Sequence, residues 1–221
     1  MLVAAGRGER LGGDRPKAFA PLAGRPLLAE SLQRLDACAS IDAIVVVAPA
    51  DWEEPAILLA EELGAAKVSS VVPGGTRSRS ESVRIGVEEV PDEADAIVVH
   101  DAARPLVPDA VVERVLAALE SCEGAVPGLP IADTVKRAPG GVVSETVDRS
   151  ELYVVQTPQA FRADSFRGAL AAWDGDATDC AGYVERAGGR VAVVPGDAAL
   201  LKVTNGDDLA AVERLLQDGA P

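Results

Sequence analysis

Ala43-Ile44-Val45-Val46-Val47-Ala48 is apolar at every position. A strand with one wet face alternates polar and apolar residues, whereas a strand covered on both faces has no need to. The run therefore reads as part of a parallel sheet sandwiched between helices, and it is far too short to cross a bilayer. Comparable runs recur at Leu2–Ala4, Val68–Val72, Ala96–His100 and Ala125–Leu129. Between them, Leu28, Leu32 and Leu35 fall on one face of a helix entered through Pro26. Val111, Val112, Val115, Leu116 and Leu119 make a second such face after the start signal Pro108-Asp109, and Leu209, Val212, Leu215 and Leu216 make a third. Strands alternating with amphipathic helices predict an α/β fold with helices on both faces of a mostly parallel sheet. Without repeats or a long linker, residues 1–221 are expected to form one domain.

Composition excludes several classes of function. The chain has 221 residues, 48% hydrophobic and 25% charged, which is ordinary for a globular protein. With 35 acidic against 21 basic residues the net charge is −14. Such a balance argues against a general grip on nucleic acid or an anionic membrane, but it leaves room for a small anionic ligand held by a local cluster of cations. Cys38, Cys122 and Cys180 are scattered and lack metal-ligand spacing, as expected of reduced thiols in a cytoplasmic protein. The first thirty residues contain no apolar core of signal-peptide length. Only four residues are lysine, namely Lys17, Lys67, Lys136 and Lys202. In a chain that otherwise uses arginine, each lysine flags a place suited to a compact, mobile charge.

In an open parallel sheet, ligands collect beyond the carboxyl ends of the strands. After the first strand comes Ala4-Ala5-Gly6-Arg7-Gly8-Glu9-Arg10-Leu11-Gly12-Gly13, followed by Pro16-Lys17. Small residues let the backbone approach a ligand, and successive N–H groups cradle phosphate oxygens. An ordinary turn would carry the same glycines, but Arg10 and Lys17 favour phosphate. Leu11 stands where a dinucleotide fingerprint requires glycine, which argues against a nicotinamide oxidoreductase, and no Gly-Lys-Ser/Thr of a Walker motif follows. After the fourth strand, His100-Asp101-Ala102-Ala103-Arg104-Pro105 sets an acid and an arginine at a loop. Asp101 suits Mg²⁺ or a ribose and Arg104 a phosphate, the alternative being a local pair that caps the turn. His100 is the only histidine, which excludes a multi-histidine metal site, and a structural role is expected for it. Thr134, Lys136, Arg149, Thr157, Thr178 and Lys202 add hydroxyls and cations at further loops, and Thr178-Asp179 reads as a helix start.

One segment breaks the α/β rhythm. From Asp133 to Arg149, two extended arms flank Pro139-Gly140-Gly141, the pattern of a hairpin with too little apolar surface to bury itself. It must lie on its own subunit or reach onto another.

Taken in order, these stretches resemble one enzyme family. They are Ala4-Ala5-Gly6-x-Gly8-x-Arg10 with Pro16-Lys17, Gly74-Gly75 leading to Ser82-Val83, and Val99-His100-Asp101-Ala102-Ala103-Arg104-Pro105. Asp133-Thr134-Val135-Lys136, Thr146-Val147-Asp148-Arg149, Thr157-Pro158-Gln159 and Lys202-Val203-Thr204 complete the set. The family is that of the 2-C-methyl-D-erythritol 4-phosphate cytidylyltransferases of non-mevalonate isoprenoid synthesis. The resemblance implies a mostly parallel, Rossmann-like nucleotidyltransferase sheet with a protruding β-hairpin arm. It implies that CMP passes from CTP to the sugar-alcohol phosphate, releasing pyrophosphate, with Mg²⁺ as cofactor. By that analogy Ala4, Ala5, Gly6, Gly8, Gly74, Gly75 and Ser82 line the nucleotide site, and Arg10, Lys17 and Lys202 are catalytic cations. Asp101 takes the ribose and metal side; Arg104, Thr157 and Thr178 surround the acceptor. Thr134 and Arg149 ride on residues 133–150, an arm that joins a homodimer.

The chain departs from the family pattern in four places. It begins three residues before Ala4, so the first strand reads as shortened, and a missing upstream start or a trimmed end is the expectation. Between Gly75 and Ser82 there is one residue more than usual, which leaves Arg77 and Arg79 competing for one arginine's part. Cys180 stands where an acid is usual, and Leu200-Leu201 precede Lys202 where an asparagine is common. Rival readings are a ribitol 5-phosphate cytidylyltransferase, sharing the CTP machinery, and a nucleotide-binding regulator without turnover.

Overall fold

The computed structural model describes residues 1–6, 8 and 15–219. The chain opens with β1 (Leu2–Val3) and a small hairpin of β2 (Pro21–Leu22) and β3 (Arg25–Pro26), then α1 (Leu27–Ala37). There follow β4 (Ile44–Ala48), α2 (Glu53–Leu63), β5 (Val68–Pro73), α3 (Arg79–Glu88) and β6 (Ala96–Asp101). Next come α4 (Asp109–Ala117), β7 (Gly124–Pro130), β8 (Val135–Arg137), β9 (Glu145–Val147) and β10 (Tyr153–Val155). The chain finishes with β11 (Gln159–Arg162), α5 (Ala163–Ala172), α6 (Ala181–Arg186), β12 (Val191–Pro195) and α7 (Gly206–Gln217).

β6, β1, β4 and β5 lie side by side in that order, all parallel. The chain runs outward through β1, β4 and β5 and then returns to the other side of β1 for β6. A switch of direction therefore falls between β1 and β6, where a crevice opens at the strand ends. Every residue of β4 is buried, as its uninterrupted apolar run requires. One core cluster packs Leu28, Leu32 and Leu35 of α1 on one face of the sheet, and a second packs Val83, Phe161, Phe166 and Tyr183 on the other.

The sheet is not wholly parallel. β11 inserts between β6 and β7, antiparallel to both, and β10 continues the same edge of β7. β12 pairs with β7 in parallel on the opposite edge. Between β7 and β10 the chain leaves the body as the expected hairpin: β8 and β9 pair through Val135–Val147 and Arg137–Glu145 around the turn Pro139–Gly141. Val142 and Val143 at its tip are 73% and 58% exposed, so the hairpin finds no cover on its own subunit. Among the described residues, no helix is long and apolar enough to cross a membrane.

Candidate active site

The four parallel strands end at one level. Val3 is in register with Val47 on one side and Asp101 on the other. The ladder continues past the strands, with Ala4 N–H donating to Val47 O (2.8 Å), Ala102 N–H to Val3 O (3.0 Å) and Gly74 N–H to Ala48 O (2.8 Å). Beyond these ends lies a cavity of about 870 Å³. Ala4, Ala5 and Gly6 line it from β1, Gly75 and Ser82 from across β5, and Asp101 with Lys202 from the β6 side. Gly74 lies buried beside this wall, and a Cβ there would overlap the Ala5 Cβ, with Ser82 Oγ 3.0 Å away. Its missing side chain lets the two loops close on one another. Gly8, also on the lining, has a φ of +72°, and a Cβ there would collide with Lys17.

Three of the expected cations meet on one short segment, residues 200–203. Lys17 Nζ donates to Val203 O (2.9 Å), and Arg104 Nη1 donates to Leu200 O (2.6 Å). Lys202 itself turns into the cavity, where Nζ meets Asp101 Oδ2 at 2.8 Å. The segment is fixed because Leu200 and Val203 are fully buried and Val203 N–H donates to Ala103 O (2.8 Å). Lys17 is fixed from below as the first residue of a 3-10 turn whose Phe19 ring packs 4.6 Å from Trp52, at the start of α2. Among the described residues, Arg104 Nε is buried without a hydrogen-bond partner. A buried donor left open costs about 1–3 kcal/mol, and an anion oxygen would satisfy it.

Asp101 is the electrostatic centre. Oδ1 accepts from Arg79 Nε (2.9 Å) and Nη2 (2.8 Å), while Oδ2 accepts from Lys202. Burial alone would raise its pKa, but the two cations outweigh burial and hold the carboxyl well below the usual carboxylate range. Between Arg77 and Arg79, the structure places Arg79 inside: it opens α3 after the cap Ser78, whereas Arg77 lies before the cap and pairs with Glu81, its side chain 83% exposed.

His100 lies fully buried behind Asp101. Its Nε2 is 3.0 Å from Arg104 O, and its Nδ1 is 3.1 Å from Thr157 Oγ1, which accepts the Asp101 N–H at 3.1 Å. Burial lowers the His100 pKa to about 4, so the ring is neutral near pH 7. One proton assignment closes the chain: Thr157 O–H donates to Nδ1, and Nε2–H donates to the Arg104 carbonyl. His100 thus spans both ends of the Asp101–Arg104 loop, the structural role expected for it. Thr157 has spent its proton and can offer a ligand only an acceptor, which suits an alcohol hydroxyl better than a phosphate.

Gln159 continues the support, donating to Asp179 Oδ2 (2.9 Å) and accepting from Cys180 N–H (3.1 Å). Asp179 Oδ1 accepts from Gly182 N–H, the expected helix-start bond, and Thr178 beside it is exposed. Thr134 and Arg149 are exposed on the hairpin, and Lys136 Nζ donates to Thr146 Oγ1 (2.6 Å). Arg10 lies outside the described residues. Sequence reasoning did not single out Trp52 or the Arg79–Asp101 pair. It left Arg79 undecided because a one-residue shift in a loop cannot be resolved without the helix that follows.

No group of three metal-ligating side chains exists among the described residues, so an all-protein metal cage is absent from them. Asp101 nonetheless fits an ion brought by phosphates. Its Oδ2 takes a single hydrogen bond and keeps one acceptor position, and Mg²⁺ commonly binds through one carboxylate plus substrate phosphates.

Glycine-opened backbone and converging cations at the carboxyl ends of parallel strands define a nucleotidyltransferase of Rossmann-like build. The chain belongs to the IspD family, the 2-C-methyl-D-erythritol 4-phosphate cytidylyltransferases, whose family model matches residues 1–218. It is 47% identical over 224 residues to the enzyme of that name from Saccharopolyspora erythraea, covering 98% of this chain and 97% of that one. It is 44% identical to the "Bifunctional enzyme IspD/IspF" of Rhodospirillum rubrum, but there it spans only 56% of the relative's length. The crystal structure of the Thermus thermophilus cytidylyltransferase superposes with a TM-score of 0.80 at 32% identity, covering 98% of this chain and 97% of that one.

Proposed function

We propose that this chain transfers CMP from CTP to 2-C-methyl-D-erythritol 4-phosphate, yielding 4-diphosphocytidyl-2-C-methyl-D-erythritol and pyrophosphate. The observation that carries this reading is the meeting of Lys17, Arg104 and Lys202 on residues 200–203, with Lys17 and Lys202 lining a cavity floored by small residues. Two anions must be brought together, so the barrier is dominated by their repulsion and by charge building on the leaving group. Cations held in place lower it without a strong general base. The acceptor is itself a phosphate monoester, whose second pKa of about 6 leaves it an adequate nucleophile at neutral pH.

In this reading, an oxygen of the acceptor phosphate forms a bond to the α-phosphorus of CTP in line with the leaving group. The bond to the bridging oxygen breaks, and its electron pair leaves with pyrophosphate. Ala4, Ala5, Gly6, Gly8, Gly74, Gly75 and Ser82 receive the nucleotide, and Lys17 and Arg10 hold the triphosphate. Arg104 and Lys202 receive the acceptor phosphate, with Thr157 and Thr178 beside its hydroxyls. Asp101 takes the ribose and a Mg²⁺ ion, which when bound neutralises phosphate charge. The exposed hairpin supports a homodimer in which residues 133–150 carry Thr134 and Arg149 to the partner's acceptor site. The three unpaired cysteines support a cytoplasmic setting.

Phosphorus NMR of the protein with CTP, Mg²⁺ and the methylerythritol phosphate tests the reading. Signals of a CDP-alcohol and pyrophosphate are expected. Turnover with ribitol 5-phosphate alone, or CTP binding without product at saturation, would overturn it.

A further inference from the structure

Lys17 is held by a carbonyl, and that carbonyl is itself held. Lys17 Nζ donates to Val203 O (2.9 Å), while the N–H of the next residue, Thr204, donates to Asp208 Oδ2 (2.8 Å). The two groups belong to one peptide unit, whose planarity points C=O and N–H in opposite directions. A single rigid plate therefore lies between the ammonium of Lys17 and the carboxylate of Asp208. Asp208 stands in the first turn of α7 and draws two more donors onto the same oxygen, Asn205 N–H (3.0 Å) and the Thr204 hydroxyl. These bonds, that of the Thr204 hydroxyl foremost, hold its carboxyl below the usual carboxylate range, and the nearby Lys17 charge adds to the pull. The helix is anchored in turn, because Val212 packs with Val203, Leu22 and Leu27 in one buried cluster.

We propose that Asp208 is a positioning residue for Lys17, acting through the Val203–Thr204 peptide. This rests on the functional reading above, in which Lys17 holds the triphosphate. Rotation of the plate would swing the Val203 carbonyl away from Nζ, and the three donors on one carboxylate oxygen oppose that rotation. A peptide N–H bonded to a charged acceptor also makes its own carbonyl a stronger acceptor. The side chain of Asn205 supplies the other half of the α7 capping box, accepting from Asp208 N–H (3.0 Å), and touches neither end of the plate. The cap thus separates into a half that only stabilises the helix and a half that also reaches Lys17. Residues 200–202 are fixed independently, by the burial of Leu200 and by the Lys202–Asp101 pair, so the acceptor side is left out of the coupling.

The test compares Asp208→Ala, Asp208→Asn and Asn205→Ala with the parent protein. Both alanine variants lose half of the cap and should melt at lower temperature. Asp208→Ala is expected to weaken CTP binding in calorimetry by about 10-fold, the scale of one hydrogen bond to a charged group. Asp208→Asn keeps an uncharged acceptor and should lose about threefold, since neutral bonds are roughly half as strong. Asn205→Ala should bind CTP within about twofold of the parent, and the acceptor KM at saturating CTP should stay within that margin throughout, well short of that scale. The chain has four lysines, so isotope labelling at the lysine ε carbon gives few signals, and Lys17→Ala identifies the one from Lys17. Without any ligand, the Hε protons of Lys17 should be resolved from one another in the parent and in Asn205→Ala, and should merge in Asp208→Ala. A merely capping role would make Asn205→Ala and Asp208→Ala alike in every measurement and would overturn the proposal. So would Hε protons that stay resolved in Asp208→Ala, or CTP binding there that is unchanged or tighter, the last showing a carboxylate that acts only by repelling the triphosphate. Resolved Hε protons in a parent that yields no CDP-alcohol would count against the assigned reaction instead.

Discussion

Lowering the pH from 7 to 5 is expected to strip about 2 kcal/mol from the fold through His100 alone. The ring is fully buried, and its pKa falls from 6.5 in the open chain to about 4 in the folded one. Between those values the unfolded chain binds a proton that the folded chain refuses. Stability is therefore complete above pH 6.5 and is lost as pH falls toward 4. With about 1.4 kcal/mol per pKa unit, the loss between pH 7 and 5 comes to about 2 kcal/mol. In a chain of this size that corresponds to a melting temperature lower by about 4–8 °C. The facing charged groups are Asp101, Arg104 and the Met1 ammonium: the first two keep their charge in this interval, while the buried ammonium, its pKa lowered to about 5, titrates in both proteins compared below. The control is His100→Gln, whose amide can still donate to the Arg104 carbonyl but cannot ionise. Melting curves at both pH values for the two proteins isolate the histidine, since other groups titrate in each and cancel. The parent should lose about 2 kcal/mol more than the variant. Equal losses would refute both the burial of a neutral imidazole and the Thr157–His100–Arg104 chain built on it.

Three further outcomes follow from the same geometry. Gly74→Ala, which drives a methyl group into Ala5, should destabilise the protein by about 1–3 kcal/mol and weaken CTP binding in calorimetry. Lys17→Ala should lower kcat by on the order of 10²–10³, with a circular dichroism melt close to the parent's, because a loop lysine adds little to stability. If the hairpin arm crosses between subunits, mixing inactive Arg149→Ala with inactive Lys17→Ala should restore part of the activity. No recovery after verified subunit exchange would place Arg149 outside the partner's site.

What could be read in advance follows from how local each signal is. β4 announces itself because five consecutive buried residues must all be apolar. The hairpin was legible from its Pro-Gly-Gly turn, and α4 from Pro108-Asp109. β11 was not, because Gln159 and Arg162 give it polar ends, and Gln159 is buried only by virtue of Asp179 and Cys180. β12 carries the same apolar signal as the other strands, in Val191-Ala192-Val193-Val194, and lies beyond the runs expected from the sequence. Of the site, the glycines, Lys17, Asp101, Arg104 and Lys202 stood out by residue type at strand ends. The pairing of Arg79 with Asp101 spans 22 positions, and that of Lys202 with Asp101 spans 101, so neither leaves a trace in local sequence.

The most direct measurement is a crystal structure with CTP and Mg²⁺ bound. The triphosphate should lie within hydrogen-bond reach of Lys17, and the ribose beside Asp101, leaving Arg104 and Lys202 facing open space for a second phosphate. A nucleotide seated away from the strand ends, or these cations turned to separate faces, would contradict the account.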